Sequence, residues 1–335
     1  MPVHNALPHL DAAVRSILAQ SFSDFEFLIY DDASTDGSKD RAHHWAASDD
    51  RIKLFEGKRQ LGPALSSRFI AEKATCALVA RMDADDLAHP DRLLRQVELL
   101  ESDREIGLVA SLCDVIDGGG RHLRKPEYWR LARASSFAPF PHGSMTYRRE
   151  IYDRSGGYRA ESEYWEDQDL ILRMARHARI AIIPEALYQN RLTLGSTRVT
   201  SDHERVERAV DLMYRSMASY EQHGEYEALV APGAPRAAKF DPRVFIASGS
   251  LTLWAGGRPK VLRRLLARGR LRPDLGTFVA LVWACWAELS PGSLRTVLKM
   301  LLRWRNRLGG TTDLAGPVYW SPGSRLQSTR LTSGR

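Results

Sequence analysis

Residues Ala80–Leu87 read ARMDADDL. The apolar run CALVARMD (Cys76–Asp83) leads straight into three carboxylates within four positions, Asp83, Asp85 and Asp86. Two carboxylates about 4 Å apart repel by roughly 4 kcal/mol at an effective dielectric near 20. Such a turn must share a cation or a ligand, or splay its charges into water. The run ahead of it is short and apolar, the pattern of a buried strand, so the acids fall at that strand's carboxyl end.

Working outward, the same pattern recurs. Phe25–Asp31 (FEFLIYD), Arg51–Gly57 (RIKLFEG) and Ile106–Leu112 (IGLVASL) are further strand-like runs. Between them LPHLDAAVRSILAQ, SKDRAHHWAAS, PALSSRFIAEKA and HPDRLLRQVELLES carry helical apolar spacing, with Pro90 suited to a first helical position. Strand–helix alternation implies an α/β fold with a mostly parallel, Rossmann-like sheet wrapped by helices. Ligands bind such sheets at the strand carboxyl ends. A second acidic segment, YDDASTDGS (Tyr30–Ser38), lands on that same edge.

Further along, PHGSMTYRREIYDRSGGY (Pro141–Tyr158) reads as a turn, a strand and a short helix capped by Gly156–Gly157. YWEDQDLILRMARHA (Tyr164–Ala178) reads as acids entering an amphipathic helix, and RIAIIPEALYQNR as a strand followed by a proline-broken extended segment. After Asp202 the composition turns helical and basic to about Leu308, and the end of the chain is rich in Ser, Gly and Arg. The expected organisation is a domain over 1–201, a helical region over 202–308 and a disordered tail over 309–335.

Composition narrows the class. The 335 residues are 44% hydrophobic and 27% charged, as in globular proteins. Cys76, Cys113 and Cys285 are widely spaced, which suggests neither a disulfide framework nor a zinc site and fits a reducing cytoplasm. Leu275–Leu289 is the longest apolar run; it is short for a bilayer and ends near Glu288. The start, MPVHNALPHL, lacks the basic and apolar blocks of a signal peptide. The net charge of +7 concentrates between Arg258 and Arg307, where the acids are Asp274 and Glu288. Such a block fits either an anionic surface or a solvated helix face.

Three acidic motifs carry candidate chemistry. From Asp32, DDASTDG imitates the start of an EF-hand, yet His43 stands at the twelfth position where Glu is needed, which argues against calcium. An Asx turn capping the next helix and a hydrogen bond from Asp32 to a nucleoside both remain open. In DADD, alternation allows Asp83 and Asp85 to reach one Mg²⁺ or Mn²⁺, because oxygen-only ligands favour these ions over zinc. Helix capping accounts for one of the three carboxylates there but not for all. EDQD (Glu166–Asp169) opens a helix, where acids gain from the dipole whatever their function; one of them is a candidate general base.

At this point MPVHNALPHLDAAVRSILAQSFSDFEFLIYDDASTDGS, LGPALSSRFIAEKATCALVARMDADDLAHPDRLLRQVELL, PHGSMTYRRE, GGYRAESEYWEDQDLILRMA and LYQNRLTLGS together resemble the family 2 glycosyltransferases of the A-type fold, in the family's order over roughly residues 1–200. The resemblance implies a metal-dependent, inverting transfer of a sugar from a nucleoside-diphosphate sugar to a hydroxyl acceptor. Pro2 and Asp32 would line the nucleoside pocket, and Asp83 and Asp85 would form the DxD motif that touches the ribose and the metal-bound diphosphate. Asp167 would be the base, His142 and Gly143 would lie near the donor sugar or the acceptor, and Arg191 would approach the diphosphate. The cofactor implied is Mn²⁺ or Mg²⁺, and a UDP-sugar is the donor suggested by the family's habit.

The chain departs from the pattern in places. Only Met1 precedes Pro2 where the family has most of a strand, so translation is expected to start upstream. Thr193 stands where a His is common, and Ser66–Ser67 replace the usual pair of the helix before the DxD strand. Two rival readings follow: a nucleotidyltransferase, which would call for a Gly-rich basic loop near the N-terminus, and a non-catalytic sugar- or membrane-binding protein on a decayed transferase fold. SLRTVLKMLLRWRNRL (Ser293–Leu308) puts Leu, Val and Met on one face and Arg and Lys on the other, which suits either an anionic membrane surface or packing on the catalytic domain. The expected location is cytoplasmic, peripheral at the inner membrane face, with a glycan or lipid-linked glycan as acceptor and no nucleic-acid partner.

Overall fold

The computed structural model describes residues 1–124, 138, 140–163, 165–191, 317–320 and 327–328. The boundary expected near residue 201, the helical region 202–308, the run Leu275–Leu289 and Cys285 all lie outside the described residues.

A parallel sheet of three strands, β1 (Pro2–Val3), β2 (Phe27–Asp31) and β3 (Ile52–Glu56), forms the first half. Register is fixed by Pro2 opposite Tyr30 and by Phe27 opposite Ile52. The β2 sequence FLIYD is apolar at consecutive positions because helices cover both faces. Phe27 and Ile29 pack with α1 (Leu7–Leu18) and α2 (Ser38–Ala46), while Leu28 and Tyr30 pack with α3 (Pro63–Lys73). Helix α1 buries Leu10, Ala13, Val14 and Ile17, the i, i+3, i+4, i+7 stripe of one helix face.

The second sheet runs β11-β10-β9-β6-β8-β4, built from β4 (Leu78–Ala80), β6 (Ile106–Ile116), β8 (Thr146–Arg148), β9 (Arg179–Arg191), β10 (Val318–Trp320) and β11 (Gln327–Ser328). Strand β5 (Leu87–Ala88) pairs with β9, and β7 (His122–Arg124) pairs with β6. Parallel pairing in this sheet is confined to β6 and β9; its other ladders are antiparallel. Helix α4 (Arg92–Ser102) covers it, with Leu100 packed on Ile106, Val109, Ala181 and Ile183.

Several expectations shift in detail. Pro90 precedes α4 rather than opening it, because the Arg92 amide bonds back to the His89 carbonyl at 3.0 Å and makes a turn first. Strand β9 is continuous through Pro184; the register steps from Ile183 opposite Ser111 to Ala186 opposite Leu112, so a bulge absorbs the proline. Helix α5 (Arg149–Arg154) ends as expected, with Gly156 and Gly157 at φ +76° and +63°. Helix α6 (Glu166–Met174) is buried almost all round rather than amphipathic. The tail expected to be disordered contributes β10, with Val318 opposite Ile182 and Tyr319 opposite Ala181. VYW is a β-branched and aromatic run after a proline, a strand signal outweighed by its polar flanks.

Candidate active site

Between β4 and β5 the chain turns at Ala84–Asp85, with Met82, Ala84 and Ala88 in the core beside α1. Each carboxylate meets a different environment. Asp83 Oδ1 lies 2.8 Å from Arg81 Nη2. Asp86, 1% exposed, accepts from the Arg191 amide at 2.7 Å and from Asn190 Nδ2 at 3.1 Å, and also bonds the Tyr188 hydroxyl. Strand β9 thus clamps the turn from its far end. Arg191 adds side-chain bonds to carbonyls, Nε to Asp85 at 2.7 Å and Nη1 to Asp117 and Gly118 at 3.1 Å each.

Behind the turn sits Arg92, fully buried. Its Nη2 donates to the Arg81 carbonyl at 2.6 Å, its Nε to Gln96, and its guanidinium lies 5.2 Å from the Tyr188 ring centroid. Three acids are therefore matched by Arg81, Arg92 and Arg191. The match is incomplete electrostatically. Burial, then Asp83, pushes Asp85 up to about 6. Burial, then Asp85 and Asp83, raises Asp86 well above the carboxylate range. Burial pulls Arg92 down to about 10. For Arg81 burial opposes the charge, but Asp83 and the Tyr158 and Tyr188 hydroxyls outweigh it and hold the guanidinium above its usual value.

The PHG segment closes on this turn. A Cβ on Gly143 would run into the Tyr188 hydroxyl and come within 2.7 Å of Asp83 Oδ2, so only glycine fits this approach. His142 accepts or donates through Nε2 to the Tyr158 hydroxyl at 2.7 Å, and its Nδ1 lies 4.0 Å from Glu166 Oε1. A chain of contacts, Glu166 to His142 to Gly143 to Asp83, thereby ties the N-terminus of α6 to the acid turn. Asp167 sits in the first turn of α6, 8% exposed, its Oδ1 accepting the Gln168 amide at 2.7 Å. Asp169 belongs elsewhere and pairs with Arg173.

Asp32 lies at the end of β2. Its carboxylate accepts the Leu61 amide at 2.7 Å, the Gly62 amide at 2.9 Å and the Ser66 hydroxyl at 2.9 Å, which anchors the start of α3. A carboxylate accepts about four such bonds, so three in place leave limited room for a ligand. Ser66, in place of the family's usual residue, therefore completes an internal contact. Pro2 sits in β1 beside Tyr30. Asp36 makes the Asx cap left open in the sequence, accepting the Ser38 amide and hydroxyl at 3.0 and 2.6 Å and the Leu7 amide at 3.1 Å.

Sequence reasoning missed Arg81, Arg92, Gln96 and Tyr188. Arg81 stands inside the quoted octapeptide, and its place beside the first acid was a usable signal. The other three read as ordinary helix and strand residues.

A model of glycosyl transferase family 2 matches residues 1–164. EpsE of Bacillus subtilis (strain 168), which carries a provisional glycosyltransferase name, is 36% identical over 200 residues, 57% of this chain and 71% of its own. This chain belongs to glycosyl transferase family 2. The O-antigen biosynthesis glycosyltransferase WbnJ of Escherichia coli is 28% identical to this transferase over 182 residues, 52% of the chain and 69% of its own. Among solved structures, the mannosyltransferase PcManGT from Pyrobaculum calidifontis, in complex with GDP-Man and Mn²⁺, superposes with a TM-score of 0.54 at 22% identity, covering 89% of this chain and 81% of its own. That likeness bears on fold and confirms the A-type glycosyltransferase architecture. Membership sets aside the nucleotidyltransferase reading. Among the described residues no helix is long and apolar enough to cross a membrane.

Proposed function

We propose that this glycosyltransferase moves a sugar from a nucleoside-diphosphate sugar to a hydroxyl acceptor, with inversion, at the carboxyl edge joining β4, the PHG turn and α6. The observation that carries the reading is the acid turn itself: three carboxylates share one buried turn at the edge where such sheets bind ligands, and Asp85 is held near a pKa of 6. Buried carboxylates whose charge is held at this cost fit a hard cation, and the donor set is oxygen only. Among the described residues no three His, Cys, Asp or Glu side chains gather into a complete cage. Asp83 and Asp85 would hold Mn²⁺ or Mg²⁺ jointly with diphosphate oxygens, the ion supplying charge to the leaving group when bound.

The chain's own residues divide the remaining work. Asp167 takes the proton of the acceptor hydroxyl, which is a weak nucleophile until a base acts on it. With the base on the face opposite the leaving group, a single displacement inverts the anomeric centre. His142 and Gly143 border the donor sugar, and Gly143 brings backbone close to Asp83. Pro2 and Asp32 line the nucleoside pocket, Asp32 chiefly by ordering the Leu61–Gly62 turn. Arg191 serves the diphosphate by holding the Asp85 carbonyl and closing β9 on the turn. PcManGT's GDP-Man and Mn²⁺ support the nucleotide-sugar and metal parts of this reading, and the name of WbnJ supports a role in building a cell-surface polysaccharide or glycolipid. The acceptor is then a glycan or lipid-linked glycan at the cytoplasmic membrane face, with residues 1–201 as the catalytic domain.

The test is a thermal-shift panel of UDP, GDP, dTDP and CMP with and without Mn²⁺, on the native chain and Asp85→Asn. A ligand at 100 times its dissociation constant adds about 2.7 kcal/mol. Stabilisation by one diphosphate, metal-dependent and lost in the variant, is the expected result and names the nucleotide. No shift with any of them refutes the donor site.

A further inference from the structure

Arg81 follows β4 directly and is 9% exposed. One arm of its guanidinium reaches Asp83 Oδ1 at 2.8 Å and the other donates to the Met82 carbonyl. Its Nε is buried and has no hydrogen-bond partner. The groups that bear on its charge include Asp83, Asp85, Glu166, Arg92 and the Met1 amine, with the hydroxyls of Tyr158 and Tyr188. Arg81 therefore stands among the acid turn, the His142–Tyr158 pair and the start of α6.

Two features of this placement need a reason. A buried donor without an acceptor is costly, and native proteins keep few of them. An arginine is also an unexpected tenant for one carboxylate of a cation site, because the ion and the guanidinium compete for the same oxygens. Both are resolved if the arrangement is one state of two. In the metal-free state Arg81 neutralises Asp83. With ion and substrate present, Asp83 turns to the ion, and the planar fork is left beside the site with N–H groups that suit phosphate or sugar oxygens.

We propose that Arg81 is a donor-binding residue that doubles as the internal counter-ion of the acid turn, yielding Asp83 to a divalent ion and presenting its fork to an oxygen of the nucleoside-diphosphate sugar. The inference rests on the reading of Asp83 and Asp85 as the ion site, and it adds an order of events. Before the ion arrives, the turn is held by arginine; afterwards the same arginine faces the donor. Arg92 cannot take this part, because its guanidinium is engaged with the Arg81 carbonyl and Gln96 behind the turn.

The experiment measures Mn²⁺ binding to the full chain by the loss of the free Mn²⁺ paramagnetic resonance signal, first without nucleotide and then with UDP and GDP in turn. Arg81→Met should bind Mn²⁺ alone roughly tenfold more tightly than the native chain, the scale for removing a like charge beside a partly screened cation site. The same variant should bind the preferred diphosphate with Mn²⁺ more weakly. Arg81→Lys keeps the charge and loses the fork, so its affinity for Mn²⁺ alone should stay within about twofold of native while its diphosphate affinity falls. A purely structural arginine would not tighten metal binding when removed. Unchanged or weaker Mn²⁺ binding in an Arg81→Met protein that melts cooperatively overturns the proposal, as does native diphosphate affinity in both variants. If Arg81→Met does not fold, Arg81→Gln takes its place with the same expectation. Absence of Mn²⁺ binding by the native chain refutes the ion site itself and this inference with it.

Discussion

Asp85→Asn should stabilise the metal-free protein at neutral pH. In the fold Asp85 titrates near 6, against 3.8 for the free side chain, because it is buried beside Asp83. The sign follows from proton counting. Between pH 3.8 and 6 the folded state holds a proton that the unfolded chain has released, so stability falls as pH rises through that window. Above it the full penalty applies: about two pH units at 1.36 kcal/mol each, or about 3 kcal/mol. Because Asp85 keeps some contact with water, screening brings the expected gain to about 1–3 kcal/mol. Asparagine cannot ionise and escapes the penalty. Urea midpoints in a chelator at pH 4, 5, 6 and 7.5 measure this: the variant should exceed the native chain at pH 7.5 and match it at pH 4. Asp86 is shifted in the same direction, with Asp85 the leading charge responsible, so the variant keeps a shallower slope of the same sign. Added Mn²⁺ should stabilise the native chain and leave the variant unmoved. A variant no more stable than native at pH 7.5 in chelator would refute the claim that the turn stores charge strain.

Further outcomes follow from single contacts. Gly143→Ala forces the new methyl against the Tyr188 hydroxyl and Asp83, so it should cost about 1–3 kcal/mol of stability and lower transferase turnover more than tenfold; denaturant midpoints and a donor-consumption assay check it. Arg92→Met leaves the Arg81 carbonyl without its buried donor and removes a buried cation that faces Asp83 and Asp86, and should destabilise the fold by about 3–5 kcal/mol, read from the same midpoints. Ala33 holds φ at +56°, a left-handed value that costs a side-chain residue about 1–2 kcal/mol. After the entropy of a glycine in the unfolded chain is subtracted, Ala33→Gly should stabilise by about 0.5–1 kcal/mol, and a lower melting temperature would contradict that reading.

What was legible in the sequence follows from where the information is local. FLIY announces a strand covered on both faces because each of these residues must be apolar when helices lie above and below. The acid turn declared itself because three charges at a strand end have no local reason to exist. The sequence does not encode which charge answers which. Arg92 is ten positions after Met82 on a helix, and only the packing of α4 against the second sheet puts its guanidinium under the turn. Tyr188 and Arg191 arrive from a strand about a hundred residues later, and the bulge at Pro184 sets the register at which both meet Asp86. Asp32 shows the same limit. Its place at a strand end was read correctly, yet its three partners, Leu61, Gly62 and Ser66, come from the next loop and helix, which periodicity cannot align with it.

The charge balance now answers the question the turn raises. Three acids are opposed by three arginines, so the cluster does not need a metal to fold. That changes what a bound cation means here. In a site with bare carboxylates, removing the ion should unfold the turn; in this one, Arg81, Arg191 and the Asn190 amide retain it. Chelation should therefore abolish donor binding while leaving the far-ultraviolet spectrum and the urea midpoint at pH 5 unchanged, since at that pH Asp85 carries its proton in the fold. A chelated protein that loses secondary structure at pH 5 would show instead that the ion is a structural part, and that the arginines do not suffice to hold the acids together.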